Sequence, residues 1–347
     1  MAHWIEHPAP QADCTVIAEI AQAHDGSLGA AHAMIDAAAE AGVDAVKFQT
    51  HIAEAESSPL EPWRKKFSLQ DETRFDYWRR MEFTEPQWRG LRDHARERGL
   101  SFISSAFSLE AVALLKRVGV AAWKVASGEI TNTRMIDAMC EHGAPVIVST
   151  GMSDLAEIRA TIELIRGRNV PIALLQCATS YPTAPEQVGV NLLDEFRREF
   201  GVAVGISDHS ATIFPGLIAA FLGAQVIEVH LTLTRRAFGP DVVASLTVEE
   251  MAELVRGVRY VEAMRRNPVA KETVAEDIQA MRTIFMKSVV PLRDMAAGEV
   301  LGAADLGTRK PGTGIAANRL DEVVGRRLAR PVARLTPLVD DDLVPAS

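Results

Sequence analysis

Cysteine is scarce. The three thiols of this 347-residue chain, Cys14, Cys140 and Cys177, are too widely spaced for a disulfide framework, and no Cys-x-x-Cys pair is present to hold a structural zinc. They are expected as buried thiols. Long apolar runs are missing too: none approaches the ~18 residues of a membrane span, and the opening Met1–Pro8 stretch has neither the cationic nor the apolar region of a secretory signal. A cytoplasmic protein is the expectation. Basic charge is in deficit, 37 Lys and Arg against 46 Asp and Glu, and the resulting net charge of −9 argues against a general nucleic-acid or anionic-membrane binder. No GxxxxGK[ST] loop occurs, so nucleotide binding by a P-loop is not expected. What remains is an ordinary globular composition, 48% hydrophobic and 24% charged, long enough for about two domains at ~150 residues each.

From residue 15 to about 265, short β-branched runs alternate with longer segments of helical spacing, the signature of parallel βα units. The runs are Thr15 to Ile20, Ala45 to Thr50, Leu100 to Ser105, Ala121 to Ala126, Pro145 to Thr150, Pro171 to Cys177, Val202 to Ser207 and Gln225 to Leu231. Thr84-Glu85-Pro86-Gln87 and Asp154-Leu155-Ala156-Glu157 have the form of capping boxes that start helices. Eight such repeats in about 250 residues predict a closed (β/α)8 TIM barrel over 1–265. The aromatic stretch from Ser57 to Phe83 reads as an insertion over the barrel mouth. A charged linker over 266–287 and a small second domain over 288–347, with the turn-rich Arg309-Lys310-Pro311-Gly312-Thr313-Gly314-Ile315, complete the chain.

In such a barrel the site lies at the C-terminal ends of the strands. Glu19, Lys47 with Gln49, Ser104 with Ser105, Lys124 leading to Ser127 and Glu129, Ser149 with Thr150, Thr179 and Tyr181, Ser207 to His209, and Glu228 with His230 all fall there. Residues two apart on a strand share a face, so Lys47 with Gln49, Ser207 with His209, and Glu228 with His230 point the same way. Lys47 and Lys124 sit in apolar runs, where an uncompensated ammonium would cost several kcal/mol. Either they pair with Glu19 or Glu129, or with Ser127, Ser149 and Ser207 they form a site for a phosphate or carboxylate. His209 and His230 come from adjacent strands and can reach one divalent ion, with Glu228 holding bound water, or they form a hydrogen-bonded or acid–base pair. Asp241 in Gly239-Pro240-Asp241 orients a polyol or merely makes a turn, and Cys177 reads as a buried thiol. His3, His7, His94 and His142 fall in tail or helix-surface contexts and are expected to be solvated.

The motifs Ala18-Glu19-Ile20, Val46-Lys47-Phe48-Gln49-Thr50, Phe102 to Phe107, Lys124-Val125-Ala126-Ser127-Gly128-Glu129, Ser149-Thr150-Gly151-Met152, Tyr181-Pro182-Thr183, Gly205 to Ser210, Glu228-Val229-His230 and Gly239-Pro240-Asp241 resemble, in this order, the sialic acid synthase (N-acetylneuraminate synthase) family. Pro311-Gly312-Thr313-Gly314-Ile315 is similar to the antifreeze-like (SAF) domain that follows the barrel in those enzymes. The resemblance implies a condensation of phosphoenolpyruvate (PEP) with an N-acylated aldose, typically N-acetylmannosamine, to a nine-carbon 2-keto acid and phosphate. A diacetamido hexose, as in legionaminic- or pseudaminic-type synthases, or a sugar phosphate is the alternative acceptor. It further implies Mn²⁺, or Mg²⁺ or Co²⁺, on His209 and His230. By this likeness Lys47, Lys124, Ser127, Ser149 and Ser207 hold PEP, Gln49, Tyr181 and Asp241 face the sugar, and Glu19 and Glu129 are polar partners near the reacting carbons; Thr179 is expected to bind substrate and Glu228, with Lys47 and Lys124, to be catalytic. It also implies a domain-swapped homodimer in which an arginine before Pro-Gly reaches the partner's site. Here Lys310 precedes Pro311 and Arg309 stands one position earlier, so either side chain can take that role. The first-strand loop, Ala21-Gln22-Ala23-His24, departs from relatives, which usually show Asn before this His.

Overall fold

The computed structural model describes residues 13–63, 65–271 and 276–345; the opening Met1–Pro8 stretch with His3 and His7, Arg64, and residues 272–275 of the expected linker lie outside the described residues. The chain divides into two compact units, Met1–Pro268 and Val269–Ser347.

The first unit is the expected TIM barrel. Its eight parallel strands are β1 (Thr15–Ala21), β2 (Ala45–Thr50), β3 (Ser101–Ala106), β4 (Ala122–Val125), β5 (Val146–Ser149), β6 (Ile172–Cys177), β7 (Ala203–Asp208) and β8 (Val226–His230). They pair in chain order, and β1 closes the ring against β8. Each begins and ends within a residue or two of its β-branched run, because those side chains fit a strand buried on both faces. Outward-facing strand residues such as Phe48, Phe102 and Trp123 pack against the surrounding helices, Phe48 and Phe102 meeting Trp88 of the helix Glu85–Glu97. Inside the ring, Ile17, Ala45, Ile103, Ala122, Ile147, Leu175 and Val226 form an apolar floor. Two residues further along the same strands, on the same face, come Glu19, Lys47, Ser105, Lys124, Ser149, Cys177 and Glu228. The floor excludes water from below, so this polar layer can be approached only from the strands' C-terminal ends.

At the opposite end of the barrel, the helix Val248–Arg266 seals the seam where the ring closes. Arg259 donates to both carboxylate oxygens of Asp44 and to the Cys14 carbonyl, and Glu262 accepts from the Cys14 N–H. The expected capping boxes form: Asp154 accepts from the N–H groups of Ala156 and Glu157, and Gln87 accepts from the Thr84 N–H. The 57–83 insertion holds the helix Arg74–Met81, started by a Thr73–Asp76 capping box, and an aromatic cluster of Trp63, Phe67, Tyr77 and Trp78. Phe67 meets Phe238 of the loop after β8 at 5.9 Å, which places the insertion at the barrel mouth.

His94 departs from the solvated setting expected of it: its Nδ1 lies 2.8 Å from His32 Nδ1 and its Nε2 3.1 Å from Asp36, across two packed helices. His24, in the loop after β1, is also buried. The loop turns at Gly26, with φ +76°, where a Cβ would come within 2.4 Å of the Arg80 carbonyl oxygen. His24 Nδ1 accepts the Gly26 N–H at 3.1 Å and its ring packs 4.8 Å from Phe83. Burial pushes its pKa down to about 3, because a proton on Nδ1 would cost both the hydration of the cation and this bond. The folded value lies below the unfolded ~6.5, so stability is complete above about pH 6.5 and is lost as pH falls toward 3. At pH 5 the loss from His24 alone is about 2 kcal/mol. Urea unfolding at pH 7 and pH 5 checks this: the difference should shrink by that amount in His24→Asn, and an unchanged difference would refute it.

In the second unit β9 (Ser288–Pro291) pairs antiparallel with β10 (Leu306–Arg309) over a core of Val289, Leu301, Leu306, Ile315, Leu328 and Leu338. The buried Ser288 hydroxyl donates to the Pro311 carbonyl and accepts from the Gly314 N–H, fixing the Pro-Gly-Thr-Gly turn. The segment expected as a linker holds the helix Glu276–Phe285, and the unit begins at Val269 rather than at 288. Charge near residue 270 suggested a linker, whereas Ile278, Met281 and Phe285 at helical spacing belong to a folded element whose Thr283 carbonyl accepts the Gly312 N–H. Among the described residues no helix is long and apolar enough to cross a membrane.

Candidate active site

Strand register builds the centre of the site. Glu19 on β1 lies beside Lys47 on β2 and His230 on β8, and Ser207 on β7 lies beside Glu228 on β8. Lys47 Nζ pairs with Glu19 Oε2 at 2.8 Å and lies 3.8 Å from Glu228 Oε1; Lys124 Nζ lies 3.4 Å from the same Glu228 oxygen. Ser207 donates to that oxygen at 3.0 Å, and Gln49 donates to Glu19 Oε1 at 2.7 Å. All four charged groups are buried. Charge is unevenly shared among them. Burial raises the Glu228 pKa, but Lys124 and Lys47 outweigh it and hold the carboxyl well below its usual range. Burial lowers Lys47, yet Glu19 and Glu228 together leave it above its usual value. Lys124 has only its share of Glu228, so burial prevails and its pKa is lowered. It is the under-neutralised cation of the cluster. In the same layer Ser149 Oγ, and also Glu228 Oε2, are buried with no hydrogen-bond partner among the described residues. Such groups call for a ligand.

Next to this cluster the side chains of Ser127, Cys177 and Thr179 close tightly around Gly151. The Gly151 N–H donates to Ser127 Oγ at 3.1 Å and Thr179 donates to the Gly151 carbonyl at 2.8 Å. A Cβ at Gly151 would lie 2.6 Å from Thr179 Oγ1 and 3.0 Å from both Ser127 Oγ and Cys177 Sγ, so only glycine fits. Ser127 also donates to the buried Cys177 thiol, whose pKa burial raises. The thiol is a packing group, as expected.

The histidines form a third group. The His209 and His230 rings are 5.2 Å apart. His209 Nδ1 lies 2.9 Å from the Ala178 carbonyl, which can only accept, so the proton sits on Nδ1 and Nε2 keeps its lone pair. The Tyr181 hydroxyl lies 3.0 Å from that Nε2. Burial and the neighbouring His230 push His209 down to about 3, and burial lowers His230, so both rings are neutral, the state that binds metal. Two neutral imidazoles, one of them with its tautomer fixed, fit a divalent ion that keeps open positions; no group of three or more His, Cys, Asp or Glu side chains able to hold a metal occurs among the described residues. Asp241 lines a narrow pocket with His230, Gly239 and Ser245.

Several expectations change. Glu129 pairs with neither lysine: the 3-10 turn Ser127–Glu129 turns its carboxylate to Asn132 Nδ2 at 2.9 Å, and burial raises its pKa. Glu228 is occupied by two lysines and Ser207 rather than dedicated to water beside the histidines. The expectation for Arg309 and Lys310 does not change: both lie exposed in the second unit, Arg309 donating to the Thr308 carbonyl and Lys310 lying 4.9 Å over the Phe285 ring. Gln22, His51 and Glu56, which join Gln49 by hydrogen bonds, were not singled out from the sequence. The i, i+2, i+4 spacing of Lys47, Gln49 and His51 was the available signal.

A profile of the NeuB family matches residues 34–270, and one of the SAF domain matches residues 287–344. The chain belongs to the NeuB family. This NeuB-family chain is 32% identical over 334 residues to the N,N'-diacetyllegionaminic acid synthase of Legionella pneumophila, covering 94% of this chain and 93% of that one. It is 34% identical over 304 residues to the N-acetylneuraminate-9-phosphate synthase of Homo sapiens, covering 86% and 82%. The crystal structure of N-acetylneuraminic acid (sialic acid) synthetase from Leptospira borgpetersenii, in complex with citrate, matches with a TM-score of 0.68 at 27% identity, covering 78% of this NeuB-family chain and 90% of that one.

Proposed function

We propose that the protein condenses PEP with an N-acylated aldose, N-acetylmannosamine in the first instance, to give a nine-carbon 2-keto sugar acid and phosphate. The observation that carries this reading is Lys124, a buried ammonium with only a shared carboxylate, in one layer with Lys47 and the unpartnered Ser149 hydroxyl. A small, multiply charged anion supplies what that layer lacks. Lys47 and Lys124 offset the charge of PEP, the unpartnered Ser149 hydroxyl is a free donor for it, and Ser127 and Ser207 reach it by turning their hydroxyls away from Cys177 and Glu228. C3 of PEP forms a bond to the aldehyde carbon, water adds at C2, and the tetrahedral intermediate releases phosphate by C–O cleavage. The lysines meet the negative charge that gathers on the departing phosphate; of the expected carboxylates, Glu19 lies in the same layer, Glu228 is tied to the lysines, and Glu129 would have to leave Asn132 to take the water's proton. Gln49, Thr179, Tyr181 and Asp241 line the acceptor side. A divalent ion on His209 and His230, Mn²⁺ first and Mg²⁺ or Co²⁺ as substitutes, would supply Lewis acidity at the aldehyde oxygen.

A diacetamido hexose is the second acceptor reading, favoured by the identity with the Legionella legionaminic acid synthase. The human relative makes a sugar 9-phosphate by name, which keeps a phosphorylated acceptor as a third. We further propose a cytoplasmic homodimer in which Arg309 or Lys310 of one subunit contacts substrate at the partner's barrel. Phosphate release from PEP by the metal-stripped protein, with and without Mn²⁺, against a panel of free and phosphorylated N-acyl hexosamines is the test. Release requiring both Mn²⁺ and one free sugar is the expected result and names the acceptor. No release with any member, from a folded protein, would overturn the acceptor class.

A further inference from the structure

One buried histidine belongs neither to the lysine cluster nor to the His209–His230 pair. His51 follows β2 directly and shares the face of Lys47 and Gln49. Its ring is sandwiched between Trp78, at 4.1 Å and 19°, and Phe107, at 4.6 Å and 11°, which fixes the ring plane. His51 Nδ1 lies 2.7 Å from Glu56 Oε1, in a side chain that is itself buried. A carboxylate accepts, so the ring proton sits on Nδ1 and Nε2 presents its lone pair inward. There it accepts from Gln22 Nε2 at 3.2 Å; Gln49 Oε1, itself an acceptor 3.3 Å away, is no partner for it in this tautomer.

Amide orientations follow from this one proton. Gln22 Nε2 has two hydrogens and two acceptors in reach, His51 Nε2 and Gln49 Oε1. With its oxygen taken, Gln49 turns its own amide nitrogen to Glu19 Oε1 at 2.7 Å, and Glu19 Oε2 pairs with Lys47 at 2.8 Å. Each donor in the series Glu56, His51, Gln22, Gln49, Glu19, Lys47 has a single consistent direction. Were Nε2 the protonated nitrogen, it would donate to Gln49 Oε1 instead, Nδ1 would set a lone pair against the Glu56 carboxylate, and Gln22 would lose its acceptor on the ring.

We propose that the Glu56–His51 pair is a positioning device that locks the Gln22 and Gln49 amides, so that Gln49 meets the sugar with its second N–H and selects acceptors carrying a hydroxyl or acyl-carbonyl oxygen at that place. His51 touches no reacting atom in this scheme. The proposal rests on the acceptor-side assignment of Gln49 above, and it is tested in two ways. His51→Phe keeps the aromatic sandwich and removes both ring nitrogens. Its KM for the sugar should rise about tenfold or more with the KM for PEP little changed, while the melting temperature falls because the buried Glu56 carboxylate loses its ring partner, and Glu56→Gln should raise the sugar KM in the same way. Imidazole added to His51→Ala should restore part of the sugar affinity. Independently, ¹⁵N NMR of the histidine-labelled wild type should show His51 as the Nδ1–H tautomer, and Glu56→Gln should destroy that preference. An Nε2–H tautomer, or a sugar KM unmoved in folded His51→Phe and Glu56→Gln, overturns the proposal. Failure of the wild type to turn over any acceptor would overturn the functional reading instead, while the tautomer would still decide the positioning.

Discussion

Glu228→Gln should cost the ligand-free protein about 3–5 kcal/mol, the penalty for breaking a buried ion pair from one side. Glutamine keeps the shape and a bond to Ser207, so the change isolates the charge. Lys47 retains Glu19 at 2.8 Å, but Lys124 loses its one ion-pair partner among the described residues and stays buried beside a like charge. The melting temperature should fall by roughly 6–20 °C at about 2–4 °C per kcal/mol. PEP or inorganic phosphate should restore more of this loss than it adds to the wild type, because an incoming anion replaces the missing carboxylate. Calorimetric melts with and without PEP check both parts. A variant as stable as the wild type would show that Lys124 is already neutral in the folded protein, and would remove the electrostatic basis of the anion site.

His230→Ala should reduce kcat/KM by about 10³-fold at saturating Mn²⁺. Lewis-acid assistance is worth several kcal/mol, and ~4 kcal/mol corresponds to a thousandfold. Stripping metal from the wild type should reach a similar floor, and metal removal from the variant should lower it little further, since the two losses remove one interaction. PEP binding should survive, because the ion pairs and hydrogen bonds of the lysine cluster do not involve His230. Metal-titrated phosphate release beside PEP calorimetry separates the effects. Undiminished turnover in His230→Ala, or equally in His209→Ala, would sink the metal assignment.

The barrel was legible because each strand announces itself: a β-branched run buried on both faces reads the same in one dimension as in three. The polar layer was legible for a related reason, since period two places Lys47 with Gln49 and Glu228 with His230 whatever the neighbours. Pairing between strands was harder to read. Glu228 serves both lysines because the stagger of the closed ring sets its carboxylate between β2 and β4, two strands that are not its neighbours. Glu129 follows Lys124 by five residues, yet a 3-10 turn carries it to Asn132. His51 gave no composition signal, since its role depends on Trp78, twenty-seven positions away, and on the short helix Ala53–Glu56 that returns Glu56 to it.

The clasp of Arg259 and Glu262 on Asp44 and the Cys14 backbone joins residues more than two hundred positions apart. During synthesis from the N-terminus, β1 has a partner on one side only until β8 has been made, and the seam stays unsealed until the helix Val248–Arg266 follows. Until then the edges of β1 and β8 are open to pairing with other chains. The vulnerable stage of this protein's life is therefore its last stretch of barrel translation, and truncations that stop short of residue 266 should accumulate as aggregates rather than as smaller folded barrels.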